Sequence, residues 1–499
     1  MKQRRTVVLI RPLAGVLDSV NRVIPIPLLA ICRYLDLDTY RVEIVDQRFA
    51  DWRRRLQRAL TGEVVLVGIT CLTGFQIYFG IRLARLIRRL RPDVPLVWGG
   101  VHPTAEPEQT LREPFVDYVV VGEGERVFPR LVAALDRGGD VTGLPGVGFK
   151  GADGTPTVNP PDQLLDIADL PDLPYHLVDM KAYVADLHDA QFYGVEGSRG
   201  CVHRCTFCYN LGYNQGRWRP RSAGRVAENL ARVHRDHGVR NFFIADDSFF
   251  VSPERAIAFA HHLERLRLPI RWGTEANVHM LARFDDGVLD LLARSGLDFL
   301  SMGVESGSQK ILEFVHKPLD LGQLVAFNRR LRRWAIHPKY TFMTGLPVED
   351  ENDVRLSVQL VRRLLQDNEK ALIQSFYMAT PYPGTVYLEQ CRAFGFEPPR
   401  ALAGWADFDP FAVARHLPWV RGNRKRLFEF MMYSSLFVDG KIDYHLSDSW
   451  SGRLTAAAGR IYRPLARFRF NHLLYRPFPE AAVFKAVNSA QKMLSFVAM

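Results

Sequence analysis

Three cysteines within eight residues, Cys201, Cys205 and Cys208, stand in the stretch from Glu196 to Tyr209, which reads EGSRGCVHRCTFCY. Thiolates are soft ligands that select zinc, Cu(I) or iron-sulfur centres. A structural zinc site needs four ligands on a closed tetrahedron. No second CxxC pair accompanies this run, and the remaining cysteines, Cys32, Cys71 and Cys391, are scattered singly. His203 is the local candidate for a fourth zinc ligand, but two ligands so close in one tight loop rarely close on a single ion. Iron-sulfur electron carriers use four cysteines per cluster. A loop with three therefore reads as a [4Fe-4S] site whose fourth iron stays open to bind something else.

Disulfide bonding is a poor alternative. The chain has 499 residues and six cysteines, and its basic start at Met1 to Arg5 leads into a short apolar run, Val7 to Ile10, cut by Arg11 and Pro12. That is not a secretory signal, and no stretch approaches the length of a membrane span. The expected location is the cytoplasm, whose reducing conditions suit an oxygen-sensitive cluster.

The cysteines need a frame. From Gln191 to about Thr385 short apolar strands alternate with amphipathic helices, the pattern of a βα-repeat barrel. Strands are expected at Phe192 to Gly197, Asn241 to Ala245, Ile270 to Thr274, Phe299 to Val304, Tyr340 to Gly345 and Leu372 to Met378. Helical spacing covers Ala223 to Arg235, Pro253 to Leu266 and Asp353 to Leu365. Polar residues collect just after the strands, where barrel enzymes keep their sites: Asp246 and Asp247, Glu275 and Asn277, Glu305 and Ser306, and the turn Gly345 to Glu349. The bland alternative is that such acids are helix N-caps.

Residues Thr6 to about Gly138 form a second α/β pattern, with near-continuous apolar runs at Thr6 to Ile10, Arg41 to Val45, Val64 to Ile69, Pro95 to Trp98 and Tyr118 to Val121. Buried parallel strands look like this. A five-stranded doubly wound, Rossmann-like sheet would bind its ligand beyond the strand carboxyl ends. There lie Thr70, Cys71, Leu72 and Thr73, then Gly99, Gly100 and His102, then Gly122, Glu123 and Gly124. No GxGxxG element follows the first strand, which disfavours a nicotinamide or flavin dinucleotide.

Turn residues between Gly146 and about Tyr183 mark a connector with one hairpin, Val147 to Phe149 against Thr157 to Asn159. Beyond Thr385 the chain reads as mainly helical, clearest at Lys425 to Phe437 and Ala481 to Phe496. The domain reading is thus 1–145 for the front α/β domain, 146–185 for the linker, 186–385 for the partial barrel and 386–499 for a helical C-terminal domain. In the last fifty residues Arg453, Arg460, Arg463, Arg467, Arg469, Arg476, Lys485 and Lys492 face one acid, Glu480. Three readings compete for this basic tail: an anionic substrate site, a peripheral membrane contact, and a solvated basic face. Nucleic acid is disfavoured, because the interleaved aromatics sit in no recognisable RNA-binding fold.

CxxxCxxC with an aromatic residue before the last cysteine resembles the signature of the radical S-adenosylmethionine superfamily. The resemblance implies a partial (β/α)6 TIM-type barrel, with Cys201, Cys205 and Cys208 as ligands of a cluster whose open iron chelates S-adenosylmethionine and cleaves it reductively. It places Phe207 near the adenine, Glu305 on the ribose hydroxyls with Ser306 beside it, and the Gly345 turn near the adenine. Asp246 and Asp247 stand where the superfamily has a Gly-Gly-Glu element for the methionine amine, and Glu275 joins the same cofactor set.

Gly99-Gly-Val-His-Pro-Thr104 followed by Gly122-Glu-Gly-Glu125, upstream of such a core, resembles the cobalamin-binding domain of the cobalamin-dependent radical enzymes. That resemblance covers about residues 1 to 390. The loop from Arg11 to Leu28 contains Asp18 but no histidine, so cobalamin is expected to bind without a histidine on cobalt, His102 having a structural or corrin-edge role. The implied activity is radical methylation of an unactivated carbon of a small-molecule substrate, a lipid or natural product, served by a flavodoxin- or ferredoxin-type one-electron reductant. An oxidative cyclase or rearrangement enzyme is the nearest alternative, and a non-catalytic cobalamin or iron-sulfur sensing module a more distant one.

Overall fold

The computed structural model describes residues 4–15, 18, 23–168, 170–184, 192–439 and 450–476. The chain divides into two compact units: Met1–Asp186 with Tyr382–Gly384 and Glu397–Asp409, and Leu187–Pro381 with Thr385–Phe396 and Pro410–Met499.

The first unit is built on a seven-stranded sheet. Its strands are β1 (Arg5–Arg11), β2 (Tyr40–Asp46), β3 (Val64–Thr70), β4 (Leu96–Gly99), β5 (Tyr118–Val120), β6 (Val147–Lys150) and β7 (Pro156–Val158), in the order β2-β1-β3-β4-β5-β6-β7. The first five are parallel. Val7 to Ile10 and Leu66 and Val67 have no exposed surface, as strands covered on both faces require. The five expected strands are present, and two more extend them. The hairpin β6–β7 lies in the segment read as a connector and pairs antiparallel with β5. Without it β5 would present an open row of amides and carbonyls.

Glu397–Asp409, read from sequence as part of the helical C-terminal region, belongs to this first unit. Its Trp405 is fully buried, packs on Phe408 at 4.7 Å and meets the edge of His102 at 6.0 Å. Large aromatic burial explains why a short segment separates from its sequence neighbours.

The second unit carries a six-stranded, all-parallel sheet in the order β15-β14-β13-β12-β11-β8. Its strands are β8 (Phe192–Val195), β11 (Asn241–Ile244), β12 (Arg271–Ala276), β13 (Leu297–Glu305), β14 (His337–Thr344) and β15 (Leu372–Met378); two short strands, β9 (Ser198–Arg199) and β10 (Arg219–Pro220), pair antiparallel between β8 and β11. All six expected barrel strands are found, and the helices Ala223–His237, Pro253–Leu266 and Glu351–Asp367 fall where the apolar spacing puts them. The capping alternative is realised at other acids: Asp285, Asp320 and Asp350 cap their helices.

The C-terminal region completes this sheet. β15 is an edge strand, and its Ile373 and Phe376 amides donate to the Asp439 carboxylate at 2.9 Å and the Ser435 hydroxyl at 3.1 Å. The helix Gly422–Ser434 and the following turn Ser435–Phe437 occupy the expected Lys425 to Phe437. Phe470, on the helix Trp450–Asn471, packs against Phe376 at 6.0 Å. The expected helix Ala481 to Phe496, with Glu480, Lys485 and Lys492, lies outside the described residues.

Candidate active site

The cysteine loop leaves β8 through Glu196 and Gly197 and returns along β10, so the β9–β10 ribbon frames it at both ends. Gly200 opens the loop with φ of +84°, and a Cβ there would meet the Arg217 carbonyl oxygen at 2.0 Å. Only glycine fits that approach. Cys201 and Cys205 are buried and Cys208 half-buried, and none of the three is in a disulfide. Backbone contacts fix the middle of the loop: the Thr206 amide donates to the Val315 carbonyl at 3.0 Å, and the Tyr387 amide to the Thr206 carbonyl at 2.9 Å.

Three successive residues after β11 secure the rest. Asp246 accepts from the Gly197 and Ser198 amides, each at 2.7 Å, and from the Ser198 hydroxyl at 2.6 Å. Asp247 accepts from the Gly200 amide at 2.8 Å and the Tyr209 hydroxyl at 2.9 Å. The Ser248 carbonyl accepts from the Trp218 indole at 2.9 Å. One short segment thus holds the residues just before Cys201 and just after Cys208.

Asp246 is buried, and its carboxylate accepts from these three loop donors. Burial raises its pKa to about 6, against the opposing pull of Arg255 and the three loop donors. Arg255 reinforces the corner by donating to the Gly197 carbonyl at 2.7 Å and the Arg221 carbonyl at 2.9 Å. Asp247 is only half-buried and keeps accepting capacity.

Opposite charges flank the loop. Glu305 ends β13 with φ of +67°, a left-handed backbone uncommon outside glycine. Its carboxylate receives the Lys317 ammonium at 2.8 Å. Burial works against the charge on Lys317, yet Glu305, Cys205 and Cys208 together hold its pKa above the ordinary range. Burial raises the Cys205 thiol to about 11, with Lys317 opposing. Metal binding is what would draw protons from such thiols.

Glu275, on β12, faces the same interior; burial raises its pKa to about 7, while a Ser301 hydrogen bond and the charges of Lys339 and Lys317 pull it down. Phe207 is half-buried within the loop. Ser306 is turned away: its hydroxyl meets the Ser357 hydroxyl at 3.3 Å and accepts the Ser308 amide at 3.1 Å. It shapes the turn after Glu305.

The turn after β14 has partners that the sequence did not announce. Gly345 takes φ of +85°, and the Gly345 and Leu346 amides donate to Glu349 at 2.5 and 3.2 Å. Burial raises the Glu349 pKa to about 8. The Trp419 indole donates to the Gly345 carbonyl at 2.7 Å, and Arg424 to the carbonyls of Leu346, Pro347 and Glu349 at 3.2, 3.1 and 2.8 Å. Trp419 and Arg424 come from more than seventy residues away, and no local pattern connects them to this turn.

The strand-end loops of the first unit are closed on themselves. The Cys71 amide donates to the Gly99 carbonyl at 2.8 Å and the His102 amide to the Cys71 carbonyl at 3.1 Å. Gly100, with φ of +100°, has no room for a Cβ: one would lie 2.9 Å from the Cys71 carbonyl oxygen and 3.0 Å from the Thr70 hydroxyl. His102 and Cys71 have no exposed surface. His102 meets the Thr73 hydroxyl through Nδ1 at 3.0 Å, and burial lowers its pKa to about 3. Glu123 accepts the Leu165 amide at 2.8 Å, and the Gly122 amide donates to Thr104 at 3.0 Å. Leu72 stays exposed, and Thr70, Thr73 and Gly99 are partly so. In the loop after β1, Asp18 binds Arg11 through two bonds of 2.7 and 2.8 Å.

The donor set fits the expected groups. Among the described residues no three His, Cys, Asp or Glu side chains converge to hold a single metal ion. An iron-sulfur cluster takes one thiolate per iron and does not need its cysteines to meet at a point. Glu305 retains a second carboxylate oxygen for donors on a ligand. In the first unit the sheet has the switch between β1 and β3 at which doubly wound folds bind ligands.

Comparison with known proteins agrees with both units. A family model described as the B12 binding domain matches residues 13–132, and one described as the radical SAM superfamily matches residues 195–361. An uncharacterized methyltransferase of Pyrococcus horikoshii is 29% identical over 385 residues, which cover 76% of this chain and 81% of that protein. An anaerobic magnesium-protoporphyrin IX monomethyl ester cyclase of Rubrivivax gelatinosus is 26% identical over 322 residues, covering 64% of this chain and 57% of the cyclase. The solved structure of the cobalamin-dependent S-adenosylmethionine radical enzyme OxsB, with aqua-cobalamin and S-adenosylmethionine bound, matches in fold with a TM-score of 0.73 and 16% identity, covering 99% of this chain and 76% of that one. The chain is an enzyme of the cobalamin-dependent radical S-adenosylmethionine family, with a [4Fe-4S] cluster, S-adenosylmethionine and cobalamin as its cofactors.

Proposed function

We propose that this enzyme methylates an unactivated carbon of a small-molecule substrate of lipid or natural-product type. The observation that carries the reading is the alignment with a methyltransferase at 29% identity over 76% of the chain, against 24–28% identity over 61–72% for three cyclases. When bound, the three cofactors supply an electron, a carbon radical and a methyl group, which together alkylate a carbon that has no acidic proton.

The chain's own residues position these groups and need not move protons. Cys201, Cys205 and Cys208 would hold the cluster, with Asp246, Asp247 and Ser248 keeping their loop in one shape. Lys317 places a buried positive charge beside the thiolates and is itself oriented by Glu305. Glu305 would accept from the ribose hydroxyls, Asp247 from the methionine amine, and the turn braced by Glu349, Trp419 and Arg424 would receive the adenine along with Phe207. Leu72, Thr73, Thr70, Gly99 and the Gly122 to Gly124 turn are the remaining candidates for contact with cobalamin. A flavodoxin- or ferredoxin-type donor would supply the electron in a cytoplasmic setting.

A cyclase is the second reading, favoured by the Rubrivivax relative. Anaerobic incubation of the reconstituted enzyme with methyl-labelled S-adenosylmethionine and host extract separates the two. Methylation adds about fourteen daltons and the label to one metabolite; a product formed with neither would favour the cyclase.

A further inference from the structure

The helix Trp450–Asn471 already spends one face on the fold. Ala466 and Phe470 are buried, Tyr462 packs edge-on against Phe437 at 5.3 Å, and Arg469 turns inward over the Phe430 ring at 5.5 Å. The outward face of a docked surface helix is ordinarily polar. Here it carries Ile461, Leu465 and Phe468, which are 84%, 54% and 55% exposed. Their spacing of four and three residues aligns them on one stripe, with exposed Pro464 between. Leu474, beyond the helix end, adds another exposed apolar side chain.

Single exposed apolar residues call for no explanation, but a contiguous stripe does. This stripe is flanked by exposed Arg460 and Arg467, with exposed Arg476 just beyond. From residue 450 to residue 499 the sequence holds one acidic residue, Glu480, against eight arginines and lysines. An apolar line bordered by cations of one sign is complementary to a surface that is negative outside and apolar just beneath. No helix among the described residues is long and apolar enough to cross a membrane, so the matching mode lies along the surface.

We infer that the outward face of the helix Trp450–Asn471 docks this enzyme on anionic lipid bilayers, with Ile461, Leu465 and Phe468 entering the acyl boundary and Arg460 and Arg467 meeting the headgroups. This goes beyond the methyl-transfer reading and holds whichever reaction the cofactors perform.

The test is co-sedimentation of the full-length, cluster-loaded protein with phosphatidylcholine vesicles, with and without phosphatidylglycerol. The expected result is binding to the anionic vesicles alone, reduced by salt. Ile461→Ser with Phe468→Ser should weaken it at least about ten-fold. Arg460→Gln and Arg467→Gln should each weaken it about five-fold. Formation of 5′-deoxyadenosine should be unchanged in all of these, showing that they fold. Phe468→Trp supplies a readout that needs no loss of binding: its added fluorescence should shift to the blue on anionic vesicles. Absence of binding would overturn the inference, as would binding unaffected by the serine substitutions. So would a dimer in solution that Phe468→Ser dissociates while vesicles capture nothing, since the stripe would then belong to a second copy.

Discussion

The cysteine loop and the strand-end loops of the first unit stand at equivalent places, the carboxyl ends of parallel strands, but they are built in different ways. Around the cysteines, side chains do much of the holding: the Asp246 and Asp247 carboxylates accept from loop donors while Glu305 and Lys317 face the loop with charge. In the first unit the backbone does most of it, through Cys71 to Gly99 and His102 to Cys71, with the histidine sealed inside. A site that must keep three thiolates and a charged ligand in register needs fixed polar groups. A site for a large cofactor whose rim carries many amides needs a shaped surface with hydrogen-bonding groups that backbone can supply. Substitutions should therefore be costly in the first region and mild in the second.

The largest effect is expected at the cysteines. Alanine at Cys201, Cys205 or Cys208 should abolish 5′-deoxyadenosine formation and the cluster's absorbance while leaving cobalamin binding by the first unit in place. Loss of both together would mean that the two regions are not separable.

Asp246→Ala comes next. It leaves the Gly197 and Ser198 amides without their acceptor, at about 1–3 kcal/mol. Cluster retention should fall about 10–100-fold, as for other supports of metal ligands, with iron content and thermal melting as the readouts.

Arg424→Ala should be smaller and more selective, because it frees the carbonyls of the turn after β14 without touching a thiol. The expected result is about ten-fold weaker binding of S-adenosylmethionine at full iron content, which is about 1.4 kcal/mol. Equal loss of iron would place Arg424 in the general fold instead.

A pH series sharpens the same region. The Glu349 pKa is raised from 4.5 to about 8 by burial, so the folded state favours the protonated acid. Its contribution is complete below pH 4.5 and is lost as pH rises through 8. Glu349→Gln should flatten that decline between pH 4.5 and 8 in denaturant melts; an unchanged slope would show that the carboxyl is ionised throughout.

The smallest effect is expected at Thr73. Thr73→Val removes the His102 partner at a cost of about 1 kcal/mol and should change cobalamin affinity less than about five-fold. A collapse of binding there would break the contrast between the two regions.

Much of this was legible from the residues alone. The six barrel strands and the cysteine loop could be read because apolar runs and ligand spacing are local properties. The hairpin β6–β7 was visible, but not its union with β5, which depends on an open sheet edge that only the assembled fold presents. Asp246 and Asp247 look alike in sequence; that Asp246 is buried on two loop amides while Asp247 takes one and stays half-buried depends on how the chain from Gly197 to Gly200 turns back. His102 sat in a suggestive motif, yet Trp405, some three hundred residues on, packs over it. Arg424 and Trp419 carry no motif at all, and their role arises from carbonyls aimed at them across the fold.

The most direct test of methyl transfer is to quantify S-adenosylhomocysteine and 5′-deoxyadenosine formed by the fully loaded enzyme turning over in host extract. Radical methylation consumes one S-adenosylmethionine for the radical and another for the methyl group, so the two products should accumulate in equal amounts. Steady formation of 5′-deoxyadenosine with no S-adenosylhomocysteine would contradict methyl transfer and leave the cyclase.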